Sequence, residues 1–285
     1  RASKNTPYIG FVIEPYSLFL FFKLKDIEWA KSMLTDRYEL AQTKFFADDE
    51  PGYYFGVGNL GTRASSFWGT RQESYLIATD KKTGLLSFIF IDILSNTLIA
   101  EPSKGVANPN CKKAFFTTNS KGEVFLDIQE DKSKRKLSLT GSIKNGKMRE
   151  LYQPLWLMGN TSISYSKDLG KGDDNPFAVI FDPAEVDEAL DIPTEDIHIQ
   201  ENTLFPGLAE AEISKVVCFP FAQHFFADSP GCYTTVKDRN DLISKYNEIA
   251  DADKWKTFSA RTIVKQVSIG IAISTLIAII LIILL

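Results

Sequence analysis

One run in this chain of 285 residues has the spacing of a nucleotide-binding loop: Gly56-Val57-Gly58-Asn59-Leu60-Gly61. Such a loop holds a pyrophosphate only where a strand passes through the glycines into a helix N-terminus; here the following sequence reads as β, which excludes that chemistry. Asp173, Asp174 and Asn175 are calcium-ligating types, but the cluster lacks a loop-closing Glu and reads as a solvated turn. With only His198 and His224, a histidine-rich metal site cannot be built, and neither a metal nor another cofactor is expected. Cys111, Cys218 and Cys232 include no C-x-x-C pair. Cys218 and Cys232 could bridge a loop in an oxidising compartment, although buried free thiols are the simpler expectation. Asn160-Thr161-Ser162 is a glycosylation sequon, meaningful only for a lumenal or extracellular domain. P-loop, H-E-x-x-H, G-x-S-x-G and EF-hand patterns are all absent from the sequence.

Composition narrows the classes further. At 44% hydrophobic and 24% charged the chain is globular, and a net charge of -4 with a pI near 5.4 leaves no basic footprint for nucleic acid. The 21 phenylalanines gather at Phe45-Phe46, Phe115-Phe116 and between Phe219 and Phe226. They suit core packing first, and an apolar ligand cavity or docking face second.

The elements that must position any site are mostly strands. Residues 17–25 (SLFLFFKLK) form a β-rich run, and Asp26 then caps a helix with Ile27, Trp29, Ala30, Met33 and Leu34 at helical spacing. Strands are expected over 53–60, 73–79, 84–93, 114–118, 123–128 and 136–143, separated by turn signals such as 80–84, 119–122 and Asn145-Gly146. Further strands are expected over 155–165, 177–181 and 195–200. Asp182-Pro183-Ala184-Glu185 reads as the start of a short helix ending near Leu190, and 239–250 as another helix, with 254–265 leading on from it. Successive strands with short turns predict one curved antiparallel sheet, closed as a barrel or folded as a sandwich.

From Val267 to Leu285 every residue is apolar, Gly, Ser or Thr. Nineteen such residues predict a helix crossing the ~30 Å hydrocarbon core, with Trp255 at interfacial distance. The expected division is a soluble domain over 1–252, a basic juxtamembrane segment over 253–266 and a single-pass anchor over 267–285. Lys254, Lys256, Arg261 and Lys265 precede the anchor and nothing charged follows it, which places the domain on the cytoplasmic side unless an upstream signal segment reverses the order. The lipid bilayer is thus an expected partner. Other membrane proteins are a second, through Ser268, Gly270, Ala272 and Ser274.

The order of a strand over 17–25, a helix capped by Asp26, and a strand running to a turn before Glu101-Pro102-Ser103-Lys104-Gly105-Val106 resembles acetoacetate decarboxylase and its relatives. Gln153-Pro154-Leu155-Trp156-Leu157-Met158 is similar to a polar, proline- and aromatic-rich strand late in that family, so the resemblance covers roughly 16–165. It implies a mainly β (α+β) fold, a closed antiparallel cone or barrel with flanking helices around a small apolar cavity. The family's decarboxylation uses a Schiff-base lysine whose pKa is lowered by an adjacent lysine and a desolvated pocket. Where the family has Pro-Lys-Lys, this chain has Pro102-Ser103-Lys104, so Ser103 stands at the nucleophile's place and Lys104 lacks its ammonium neighbour. Arg63, Arg71, Glu73 and Glu101 are the candidates for the family's charged pocket groups, each of which could equally be a surface or salt-bridged residue. The expected function is a membrane-anchored, non-catalytic domain that binds a small apolar or carboxylated ligand or serves as an accessory subunit of a membrane complex. The alternative is a decarboxylase or lyase acting through Lys104.

Overall fold

The computed structural model describes residues 2–3, 9–63, 68–101, 105–107, 109–170, 176–227, 233–251, 255–256 and 260–284. The fold is built on the strand Tyr54–Arg63, which pairs antiparallel with Ser17–Lys23 on one side and Trp68–Asp80 on the other. Beyond Ser17–Lys23 the sheet continues through Lys215–Phe219 and Glu188–Asp191 to Lys147–Glu150. Beyond Trp68–Asp80 it continues through Leu86–Ser95 to Ile163–Tyr165, which joins in parallel and is followed by the one-turn helix α2 (Lys167–Gly170). A branch through Ile9–Ile13 carries Gln223–Ala227 and Val179–Phe181 and also runs to Ala2–Ser3 and Trp255–Lys256; with Tyr38–Leu40, paired to Trp68–Asp80, the sheet has 14 strands among the described residues.

The remaining strands do not extend this sheet. Lys113–Thr118, Glu123–Gln129, Lys136–Ser142 and Ile197–Asn202 make a separate antiparallel sheet of four, and Ile99–Glu101 pairs with Gly105–Ala107 as a sheet of two. The closed barrel expected from the sequence is therefore corrected to open sheets in a mainly β fold. Strand count alone carries no closure information, because the same alternation and turns serve a small sheet packed on a large one.

Both faces of the large sheet are covered, which explains why its strands are apolar almost without alternation. Phe19, Phe21, Tyr75, Ile77, Phe88 and Phe90 share one face, packed with Leu155, Trp156, Phe219 and residues of α3 (Arg239–Ala250). Leu18, Leu20, Phe22, Val57, Leu76 and Ala78 share the other, packed under Ala30 of α1 (Ile27–Ser32) and Leu126, Ile128, Leu137 and Leu139 of the four-stranded sheet. The cap of α1 is the expected one: Asp26 Oδ1 accepts from Trp29 N–H at 2.8 Å. Across the two sheets, Arg135 reaches Asp92 Oδ2 at 2.6 Å and Glu130 Oε2 at 2.9 Å. Burial pushes the Asp92 carboxyl up, and Arg135 offsets only part of that.

Three local expectations are corrected. Residues 155–165 are not one strand: Pro154–Met158 is a π-helical turn and Gly159–Thr161 a 3-10 turn, with a strand only at Ile163–Tyr165. A short apolar run is compatible with either periodicity, and here Trp156 settles it by burying its ring and donating Nε1–H to Phe45 O at 2.9 Å. Asp182 does cap, through Oδ1 and Ala184 N–H at 3.0 Å, but the helix is one 3-10 turn, Pro183–Glu185, because Glu188–Asp191 is taken into the sheet. Ahead of the last helix, Trp255–Lys256 is a short strand paired with Ala2–Ser3.

That last helix, α4, spans Ala260–Leu284. Lys265, Val267 and each described side chain over 267–283 are exposed; the side chain of Trp255 and the whole of Leu285 lie outside the described residues. Among the described residues no helix is long and apolar enough to cross a membrane, which corrects the expected spanning anchor. Ser268, Gly270, Ser274 and Thr275 interrupt the apolar side chains of this helix.

The glycines of the run 56–61 have a packing role. All lie within Tyr54–Arg63, and the next described element is a strand, so no helix receives a phosphate there. A Cβ on Gly58 would come within 2.7 Å of the Phe19 ring and 3.0 Å of Tyr75. Phe19 cannot retreat, since its ring centroid lies 5.5 Å from Trp156 and 5.8 Å from Phe219. Gly58→Ala is expected to cost about 1–3 kcal/mol, measured as a lower urea midpoint at unchanged slope. A wild-type midpoint would show that this face has slack.

Candidate functional site

The strand Trp68–Asp80 brings Arg71, Glu73 and Tyr75 onto one face, because side chains two apart on a strand point the same way. That face is the aromatic one, with Gly58 directly opposite Glu73. Arg71 donates Nε–H to Glu73 Oε1, and Tyr75 donates its hydroxyl to Glu73 Oε2. Only 14% of the Arg71 side chain and 11% of that of Glu73 are exposed, so the pair sits in a low-dielectric setting where each charge needs the other. Burial draws the Arg71 guanidinium down, but the Glu73 carboxylate outweighs it and the net shift is upward. Burial, reinforced by Glu73, holds the Tyr75 phenol well above its ordinary value, so it remains a donor at neutral pH.

The Arg71 fork is only partly used. Its Nε is engaged by Glu73, whereas no hydrogen bond is made by its two terminal Nη groups among the described residues. A guanidinium 14% exposed with both Nη groups open has the geometry for a planar, bidentate carboxylate.

Around this row the interior is filled with rings. Tyr75 lies 5.3 Å from Phe88 and 5.0 Å from Phe90, centroid to centroid. Tyr165 and Phe177 continue the stack beyond Phe90 at 5.4 and 5.8 Å. Trp156, 1% exposed, stands 5.9 Å from Phe88 and 5.2 Å from Phe219. Where the sequence resemblance implied an apolar cavity, this part of the interior is occupied by Trp156 and its neighbours.

Of the residues singled out from the sequence, the structure brings together Arg71 and Glu73. Arg63 lies elsewhere, exposed and paired with Glu14. Glu101 is paired through its backbone with Gly105, so the two strands of a hairpin flank 102–104, but its side chain and the whole of Pro102, Ser103 and Lys104 lie outside the described residues. Asp173, Asp174, Asn175, Cys232 and the Asn160 side chain also lie outside them. Cys111 and Cys218 are buried free thiols, each pushed up to about 12 by burial and so inert as nucleophiles. His224 Nδ1 faces Glu185 Oε1 at 2.7 Å, a surface pair. No group of three metal-ligating side chains occurs among the described residues. Tyr75 and Trp156 were not singled out as site residues; for Tyr75 the signal was present, as Arg-x-Glu-x-Tyr at a spacing of two.

No family model and no curated protein matches the chain. Among solved structures it is similar to the crystal structure of acetoacetate decarboxylase from Legionella pneumophila subsp. pneumophila str. Philadelphia 1. The TM-score is 0.51 and the identity 11%, over 81% of this chain and 89% of that one. At that identity the likeness is one of fold: the chain has an acetoacetate decarboxylase-like fold.

Removing the charge of Glu73 leaves Arg71 buried without its counterion. Glu73→Leu is therefore expected to lower stability by about 3 kcal/mol, whereas Arg71→Met combined with Glu73→Leu recovers most of that loss. A double-mutant cycle by urea denaturation checks it, and additive losses would mean that the two side chains do not act as a pair.

Proposed function

We propose that the chain is a lipid-associated, non-catalytic acetoacetate decarboxylase-like domain that binds a small carboxylated ligand at Arg71, by itself or as an accessory subunit of a membrane assembly. The observation that carries the ligand reading is the buried guanidinium whose Nε is spent on Glu73 and whose Nη groups carry no hydrogen bond among the described residues. A carboxylate arriving there completes the fork, and the surrounding rings suit a short apolar tail. Association with lipid is supported by α4, whose described side chains over 267–283 are apolar or small and exposed to solvent.

The non-catalytic part of the reading rests on charge. A Schiff-base lysine must be neutral to attack a carbonyl, and an ordinary lysine near pKa 10.4 is neutral in fewer than ~0.1% of molecules at pH 7. Pro102-Ser103-Lys104 supplies no adjacent ammonium to lower that value. Borohydride reduction in the presence of a β-keto acid is accordingly expected to leave Lys104 unmodified, as read by peptide mass spectrometry. An adduct on Lys104 that disappears in Lys104→Ala would establish the decarboxylase alternative instead.

Calorimetric titration of the full chain with butyrate, and with butyramide as the uncharged control, tests the ligand site. Butyrate alone is expected to bind. Arg71→Lys, which keeps the charge beside Glu73 but loses the planar fork, should weaken it roughly 10- to 100-fold, equivalent to about 1.5–3 kcal/mol. Equal binding of the amide, or no effect of Arg71→Lys in a folded variant, would contradict the site.

A further inference from the structure

The most exposed large apolar side chain outside α4, among the described residues, is Trp68 at 74%. It stands at the end of the sheet opposite Arg63, whose guanidinium carbon lies 5.8 Å from the indole centroid. Leu98, 38% exposed, belongs to the same end: Asn96 N–H donates to Thr70 O at 3.3 Å and Thr70 N–H to Asn96 Oδ1 at 2.9 Å, which carries the chain past Trp68.

The strand ladder leads from this end to α4. Arg63 pairs with Val12, Ile9 at the start of the same strand pairs with Ala2, and Ala2 pairs with Lys256. Gln223–Ala227 fills the other edge of Ile9–Ile13, so Tyr54–Arg63 and Ala2–Ser3 pair along the same edge three residues apart, and at about 3.4 Å per residue the backbones of Trp68 and Lys256 lie on the order of 10 Å apart. Only residues 257–259 separate Lys256 from α4, so the first turn of the helix begins within about 14 Å of Lys256. The start of the helix with the exposed apolar side chains and the sheet end with the exposed indole therefore lie close together.

We propose that this sheet end, with Trp68 as its contact residue, rests on the surface of a lipid bilayer. The inference builds on the lipid association of α4 and adds the orientation of the domain. An indole is amphipathic and partitions to the headgroup level, where its ring is sheltered and its N–H stays hydrated. Arg63 supplies the matching cation: Glu14 holds its Nε, while its terminal nitrogens make no hydrogen bond among the described residues and can meet a lipid phosphate. Lys265, exposed near the start of α4, adds a second positive charge on this side. A tether this short holds Trp68 near the surface at high effective concentration, so a weak contact suffices.

The test uses the full chain, with Trp29→Phe and Trp255→Phe, on phosphatidylcholine vesicles with and without brominated acyl chains. Trp68 and Trp156 then emit, Trp156 from inside the core, and a parallel Trp68→Phe variant isolates the Trp68 signal. On vesicles the Trp68 emission is expected to shift to the blue, to lose most of its intensity to brominated lipid, and to be shielded from aqueous iodide. Trp68 still open to iodide in a chain that floats with the vesicles would overturn this orientation while leaving the lipid association intact. Shielding from iodide without quenching by brominated lipid would overturn it in favour of a protein contact. A chain that fails to float overturns the lipid association, and the orientation with it.

Discussion

The central strands of this fold are buried on both faces, and that constraint governs what the rest of the chain must do. Trp68–Asp80 is covered on one side by rings from Ser17–Lys23 and Leu86–Ser95 together with Trp156, and on the other by α1 and the four-stranded sheet. In such a setting a charged side chain survives only with its counterion beside it, because the cost of desolvating an unpaired ion exceeds what a single residue's packing returns. Arg71, Glu73 and Tyr75 meet that requirement within one strand, by the two-residue repeat alone. The glycines opposite give the adjoining rings room, and the register shift between Ser74 and Tyr75 sends Asp92 to the opposite side to meet Arg135.

Much of the architecture was legible in the sequence. The strand over 17–25, the Asp26 cap, the hairpin turns and the mainly β character followed from periodicity and turn chemistry, and the family resemblance agrees with the structural likeness. What failed was non-local. Whether 113–118, 123–129 and 136–142 join the large sheet or form their own is decided by which face needs covering, and no local pattern encodes that. Leu155, Trp156 and Leu157 look like a strand because burial on all sides removes any alternation, and a π-turn satisfies the same composition. Of the charged candidates, Arg71 and Glu73 were separable from Arg63 only by knowing which strand positions face inward.

An acetoacetate decarboxylase-like fold does not carry its chemistry along by itself. Interior space and a neutral amine are what that chemistry requires, and both are properties of particular side chains. Here Trp156 and its ring neighbours occupy the interior beside the buried pair, and the sequence around Lys104 offers no second cation. Both Nη groups of the Arg71 guanidinium are without a hydrogen bond among the described residues, which is why the ligand reading concentrates on it.

The most direct measurement is therefore of that guanidinium. In the chain labelled with 15N arginine, titration with butyrate should shift and slow the exchange of the Arg71 Nη protons, identified by their loss in Arg71→Lys, while the Nε resonance held by Glu73 stays in place. Butyramide should leave both unchanged. If butyrate moves only the exposed Arg63 and other surface arginines, leaving Arg71 as it was, the buried fork is structural and the ligand site is contradicted.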